Sequence, residues 1–261
     1  MTRVGPLVVL TRLPDRVPDA VRVKLQQGGW GDPGGGSGSL VGRAFAAALV
    51  AQWWGRPRTA LQFSVSATGK PSVTDRDGAP GPAFSLSHCD GWVAVAIAAG
   101  GTLGIDVQSF TKPDPRVARR VFAQSDRDLL DALAGEAQSH EFSRLWTIAE
   151  ACAKADGTGL PLLLRGFSPI GPGDRGSWQR YSWWSGELAG GRWALASDDA
   201  DSLDPQVSEL PFDAILERLN ERGLSPPPAG SGASQSAEAR NGARSHLHAG
   251  FTGPHGVSSY P

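Results

Sequence analysis

Between residues 84 and 108 apolar and other positions alternate so regularly that the chain reads as strand, turn, strand, turn, strand. In "FSLSHCDGWVAVAIAAG" (84–100), Phe84, Leu86 and His88 share one face, and Asp90-Gly91 is a two-residue turn pair. Trp92 to Ile97 contain no polar position, so the return strand is predicted to be covered on both faces. "LGIDVQ" (103–108) continues the alternation, and the three strands are expected to form a meander with His88, Asp106 and Gln108 near their ends. "LQFSVSATGKPSV" (61–73) predicts a strand through Leu61, Phe63 and Val65 that turns at Gly69. "WQRYSWWSGELAGGRWALAS" (178–197) predicts a hairpin around Gly190-Gly191.

Elsewhere the period changes to that of a helix. Residues 40–55 are apolar on every side and stop at Gly55 before Arg56-Pro57, so a buried helix is expected with Arg43 near its first turn. Two helices are expected over 114–135, with Ser125 as N-cap of the second and Asp128 three residues on. Residues 139–160 are helical up to Gly157 or Gly159. On that helix Phe142, Leu145, Trp146, Ala149, Cys152 and Ala153 form an apolar stripe. Ser143, Thr147, Glu150 and Lys154 form a second, polar one. "PFDAILERLN" adds a short amphipathic helix after Pro211. Strand pairs and helices in blocks, rather than in strict alternation, give an α+β fold. The order suggests two halves, 1–101 and 102–222, meeting near Gly100-Gly101.

Composition modifies this picture at two places. Glycine (34) and proline (20) are concentrated, above all in "GGWGDPGGGSGS" (28–39), expected as a flexible insert, and in 223–261. That last segment has few large apolar residues and is expected to be a disordered tail holding His246, His248 and His255. With 25 Lys+Arg against 26 Asp+Glu, the net charge of −1 gives no reason to expect nucleic acid or an anionic membrane as a partner. The longest apolar run is far short of a membrane span. Cys89 and Cys152 offer neither metal spacing nor a disulfide framework, which suits a cytoplasmic protein.

One carboxylate interrupts the apolar strand 103–107. Asp106 and Gln108 project to the same side of that strand, and Glu150 and Lys154 lie one turn apart on their helix. If strand and helix are neighbours, Asp106, Glu150 and Gln108 offer oxygens to a hard divalent cation such as magnesium, which keeps water and phosphate in its remaining positions. Lys154 and His88 would then bind a phosphate, an arrangement suited to phosphoryl-type transfer. Taken alone, the residues also fit a helix-surface ion pair, a hairpin histidine and a buried cysteine at 152.

"FSLSHCDG", "LGIDVQ" and "FSRLWTIAEACAKADGTGL", in this order and spacing, resemble the 4'-phosphopantetheinyl transferase superfamily, and most nearly its two-halved, surfactin-synthetase-activating type. The family pattern is Ser-His at a strand end, Gly-(Ile/Val)-Asp-x-Glu, then Trp-x-x-Lys-Glu-Ala-x-x-Lys. Ser87-His88, Asp106 with Gln108, and Trp146, Ala149, Glu150, Ala151 and Lys154 stand in those places. "TGKPSV" is similar to the family's Gly-Lys-Pro element.

The resemblance implies a pseudo-dimer of two similar α+β halves with the site at their interface. It implies a monomeric enzyme that moves the phosphopantetheine arm of coenzyme A to a serine of an acyl or peptidyl carrier protein, in polyketide or nonribosomal peptide biosynthesis. Asp106, Glu150 and Lys154 would be catalytic. Asp106, Gln108 and Glu150 would hold magnesium. Arg43, Lys70, Pro71, Ser87, His88 and Lys154 would hold coenzyme A.

Three departures accompany it: Gln108 replaces a carboxylate, Ala149 replaces a lysine, and the glycine insert replaces a basic stretch. The alternative is a divergent member turned to other chemistry or scaffolding on carrier-bound intermediates.

Overall fold

The structure, a computed structural model, describes residues 5–26, 37–159, 166–169, 173–198 and 204–221. Most of the glycine insert and the whole 223–261 segment, including the three histidines named there, lie outside the described residues. The architecture is mixed α+β, as the blockwise pattern predicts: among the described residues, six helices with two four-stranded sheets and one small hairpin.

The first sheet has the order β10 (Gln206–Glu209), β1 (Leu7–Arg12), β5 (Trp92–Ala98), β4 (Ala83–Cys89). β4 and β5 form the expected hairpin, with Gly91 at φ +86° supplying the left-handed turn residue. α2 (Ser37–Trp54) covers one face through Val41, Phe45 and Leu49 against Phe84, Leu86, Val93, Val95 and Ile97. Helix α1 (Asp19–Leu25) lies beside it. α2 starts at Ser37, so the last three residues of the expected flexible insert are helical.

The second sheet has the order β6 (Leu103–Ser109), β9 (Gly191–Ser197), β8 (Tyr181–Leu188), β7 (Arg175–Trp178). Here the expectation of a three-strand meander is corrected. β6 does not ladder with the β4–β5 hairpin but pairs antiparallel with β9, from Leu103↔Ser197 to Ser109↔Gly191. α5 (Gly135–Asp156) packs across this sheet, burying the apolar stripe read from its sequence, and ends where Gly157 turns left-handed at φ +79°.

The two sheets face each other across a third apolar cluster: Val8, Leu10, Trp92, Ala94 and Ala96 from one, Leu103, Ile105, Val107, Trp184, Trp193 and Leu195 from the other. Each Val, Leu or Ile among them, fully buried, contributes about 1.5–3 kcal/mol.

Side chains rather than a backbone ladder join edge strands β4 and β6. The Ile105 N–H donates to Ser85 Oγ (3.1 Å), the Val107 N–H to Ser87 Oγ (3.3 Å), and Ser109 Oγ to Cys89 Sγ (3.6 Å). Each rung joins residues 20 apart, so β4 and β6 run in the same direction.

The hairpin β2 (Leu61–Val65) with β3 (Pro71–Asp75) stands apart from both sheets. α3 (Pro115–Val121) is capped by Asp114, which accepts the Arg116 N–H at 2.8 Å. The expected Ser125 cap is not formed. α4 (Gln124–Ala132) begins two residues earlier, with Ala123 at the N-cap position; Ser125 Oγ turns to Asp126, and Asp128 accepts from Gln124 instead. The segment assigned in sequence to the end of the 102–222 half returns to the other half: β10 pairs parallel with β1, and α6 (Phe212–Glu221) packs on α2. Among the described residues no helix is long and apolar enough to cross a membrane.

Candidate active site

The end of β4, the middle of β6 and the last turns of α5 meet where the two sheets join. The meeting depends on Gly104. A Cβ there would lie 2.1 Å from the Ala151 carbonyl oxygen and 2.4 Å from the Ala155 nitrogen, so the backbone of α5 rests directly on β6. That contact brings Glu150 and Lys154 to the strand position beside it, Asp106.

Asp106 is buried, and its Oδ1 accepts two hydrogen bonds, from Ser87 Oγ at 2.8 Å and from Lys154 Nζ at 2.7 Å. Ser87 Oγ in turn accepts from Lys154 Nζ (2.9 Å) and from the Val107 N–H. The Ser87 hydroxyl is thereby saturated: it gives its one proton to Asp106 and uses both lone pairs within the protein. Glu150 is pushed up to about 7, first by burial and then by the charge of Asp106, with Lys154 opposing. A carboxyl so placed is half ionised near neutrality, the range suited to a general base.

His88 lies on the other face of β4, under the first turn of α2. A Cβ on Gly38 would be 3.2 Å from its Nδ1. Burial and the cations Lys154 and Arg43 lower its pKa, while Asp106 and Asp90 act against them. The lowered pKa leaves the unliganded imidazole mostly neutral near pH 7, with one N–H to give. Arg43 carries a buried terminal guanidinium nitrogen with no hydrogen-bond partner among the described residues. Such an orphan donor marks a place for an anion.

Lys70 reaches α5 rather than open space. Its Nζ donates to the Ala155 carbonyl, and its stem passes 3.0 Å from where a Cβ on Gly157 would be. Burial lowers its pKa, against the pull of Asp198 and Asp156. Pro71 opens β3 opposite Val65. Gln108 is half-buried, and its cross-strand partner is Arg192, which is buried and bonded to Glu187 (2.8 Å) and Asp174 (3.0 Å). Ala149 has no exposed surface and packs in the α5 cluster. Cys152 is likewise buried, and burial pushes the Cys89 thiol up to about 11, so neither is a ready nucleophile.

Two participants went unread in the sequence. Ser85, two places before Ser87, begins the side-chain rungs that hold β4 on β6. Arg192 has a legible signal, a single charge in the apolar run "GRWALAS", the same kind of signal that singled out Asp106.

Among the described residues no three His, Cys, Asp or Glu side chains converge as a metal cluster. The donors present are two carboxylates, Asp106 and Glu150, with the amide of Gln108 on the same strand face as Asp106. This is a hard-oxygen set that leaves positions for water and phosphate. Glu150, held half neutral beside Asp106, gains from any cation placed between them, so the residues fit a magnesium-like ion.

With this geometry in view, comparison with known proteins says what the chain is similar to. The model of the 4'-phosphopantetheinyl transferase superfamily matches residues 102–203, the stretch holding Asp106, Glu150 and Lys154. The chain is similar to 4'-phosphopantetheinyl transferase Sfp of Bacillus subtilis, 30% identical over 131 residues, covering 50% of this chain and 56% of Sfp. It is 31% identical over 129 residues to 4'-phosphopantetheinyl transferase gsp of Aneurinibacillus migulanus, covering 49% and 52%. The match to 4'-phosphopantetheinyl transferase HetI of a Nostoc species is 30% over 125 residues, covering 47% and 53%. The chain thus spans about half the length of the curated relatives it matches. The resemblance read from the sequence is to this superfamily, in its Sfp-like branch.

Proposed function

We propose that this chain is a phosphopantetheinyl transferase that moves the 4'-phosphopantetheine arm of coenzyme A to a serine of an acyl or peptidyl carrier protein. The observation that carries the reading is the cluster Ser87–Asp106–Glu150–Lys154 at the join of the two sheets, with the unpartnered Nη2 of Arg43 and His88 alongside. It combines a carboxyl tuned to about 7 with cations that a phosphate can engage. The two α+β halves would form a pseudo-dimer around this site, acting as a monomer in the cytoplasm on carriers of polyketide or nonribosomal peptide assembly.

Arg43 and His88 bind phosphate oxygens of coenzyme A on the α2 side, while Lys154 engages the pyrophosphate. Lys70, with Pro71 fixing its loop, lines the nucleotide end by the α5 C-terminus. Asp106 and Glu150 would hold magnesium, which when bound neutralises phosphate charge, while Gln108, across from Arg192, would stand beside the ion rather than on it. The carrier serine oxygen attacks the phosphorus on the pantetheine side. Its proton passes to the Glu150 carboxylate, the new serine O–P bond forms, and the bond to 3',5'-ADP breaks. Ser87 holds Asp106 in place through these steps.

The test is intact-mass analysis of several apo carrier proteins incubated with the protein, coenzyme A and magnesium. A phosphopantetheine increment that vanishes in Glu150→Gln supports the reading. No increment on any carrier, where an authentic transferase modifies all of them, overturns it in favour of a divergent member with other chemistry. Gln108 facing Arg192 is the observation that favours that second reading.

A further inference from the structure

Asp106 Oδ1 carries both an ammonium and a hydroxyl, and the ammonium touches both partners of that pair. A divalent ion bound between Asp106 and Glu150 would share that crowded corner with Lys154 Nζ, two cations beside one carboxylate. The Ser87 hydroxyl can stay on Asp106, since it is fixed independently by the Val107 N–H. Lys154 is different: it is a point charge on a four-carbon stem, about one fifth exposed, and can swing.

We propose that Lys154 gates the divalent-cation site: it occupies the Asp106 oxygen that the cation needs and yields it when a phosphate arrives to take the ammonium. This rests on the reading of Asp106 and Glu150 as cation ligands. Cation and phosphate then strengthen each other's binding through Lys154, and the coupling is reciprocal. An incomplete complex, cation without phosphate, is disfavoured by the chain itself.

Manganese(II) titration followed by electron paramagnetic resonance reads binding without any turnover. Wild type and Lys154→Met are compared, with and without orthophosphate, and near-ultraviolet circular dichroism verifies folding. Lys154→Gln serves where the methionine variant does not fold. The variant is expected to bind manganese alone about tenfold more tightly than wild type, and orthophosphate should tighten manganese binding more in wild type than in the variant. Equal or weaker manganese binding by the folded variant overturns the gate and leaves the cation reading standing. Failure of wild type and variant alike to bind manganese, with or without orthophosphate, removes the cation reading and the gate together.

Discussion

Each sheet is covered by one long helix, but the two helices are seated differently. α2 meets the first sheet through side chains. Its Gly42 leaves a substituted Cβ 3.4 Å from Leu86 Cδ1, a contact that can give. α5 meets the second sheet backbone to backbone at Gly104, where the neighbour is a carbonyl 2.1 Å away and nothing can give. α2 brings an apolar surface and one half-buried arginine, Arg43. α5 brings Ser143, Thr147, Glu150 and Lys154 into the interior, the first two fully buried and hydrogen-bonded there. The chemistry sits with the rigid contact. Aiming three charged groups at one another needs a fixed helix, whereas covering a sheet needs only volume.

The largest expected effects break that rigid side. Gly104→Ala should cost about 3 kcal/mol or more through overpacking against the α5 backbone. That corresponds to roughly 6–12 °C in melting temperature, read by calorimetry. Gly42→Ala on α2 is the control and should shift the melt little in either direction, because relieving a helical glycine offsets the tighter contact. Equal losses at the two glycines would contradict the contrast. Asp106→Asn keeps the shape and removes the charge, so the protein should stay folded while carrier modification falls on the order of 10²-fold, read by mass spectrometry.

Next in size is a pH dependence. Glu150 sits at about 7 in the folded protein against an ordinary 4.5, so folding favours its protonated form. The stabilisation is full below pH 4.5 and is lost as pH rises through 7, on the order of 3 kcal/mol in the metal-free protein. Thermal melts of wild type should therefore fall between pH 5 and 8 more steeply than those of Glu150→Gln. Parallel slopes would remove Glu150 as the titrating group. Smaller still, Gly38→Ala presses on His88 Nδ1 and should raise the KM for coenzyme A about 2–5-fold with the melt nearly unchanged, if His88 binds it.

The hairpins and the buried stripe of α5 were legible because period and turn chemistry are local: Asp90-Gly91, Gly190-Gly191 and the 3.6-residue spacing from Phe142 to Ala153. The path of β6 was not. "LGIDVQ" reads the same whether it continues a meander or crosses to another sheet, and only its pairing with β9, 82–94 residues away in sequence, decides. Separation in sequence also hid the return of β10 and α6 to the first sheet, and the seat of Lys70 on Ala155. In the site, charge in an apolar strand revealed Asp106. The saturation of Ser87, the neutrality of His88 and the partner of Gln108 depend on neighbours that no local pattern records.

The finest test of the contrast is at position 108, on the rigid side yet outside the Asp106–Lys154 cluster. Arg192 stands directly across from it and already bonds Glu187 and Asp174. In Gln108→Glu the new carboxylate faces that arginine, and a cross-strand pair of this kind contributes about 0.2–1 kcal/mol. The expectation is a slightly higher melting temperature and a manganese affinity within about threefold of wild type, because the added charge is spent on Arg192 rather than on a cation. A tenfold gain in manganese affinity would instead give position 108 to the cation. The amide would then be a weakened ligand, and the two carboxylates would no longer account for the site alone.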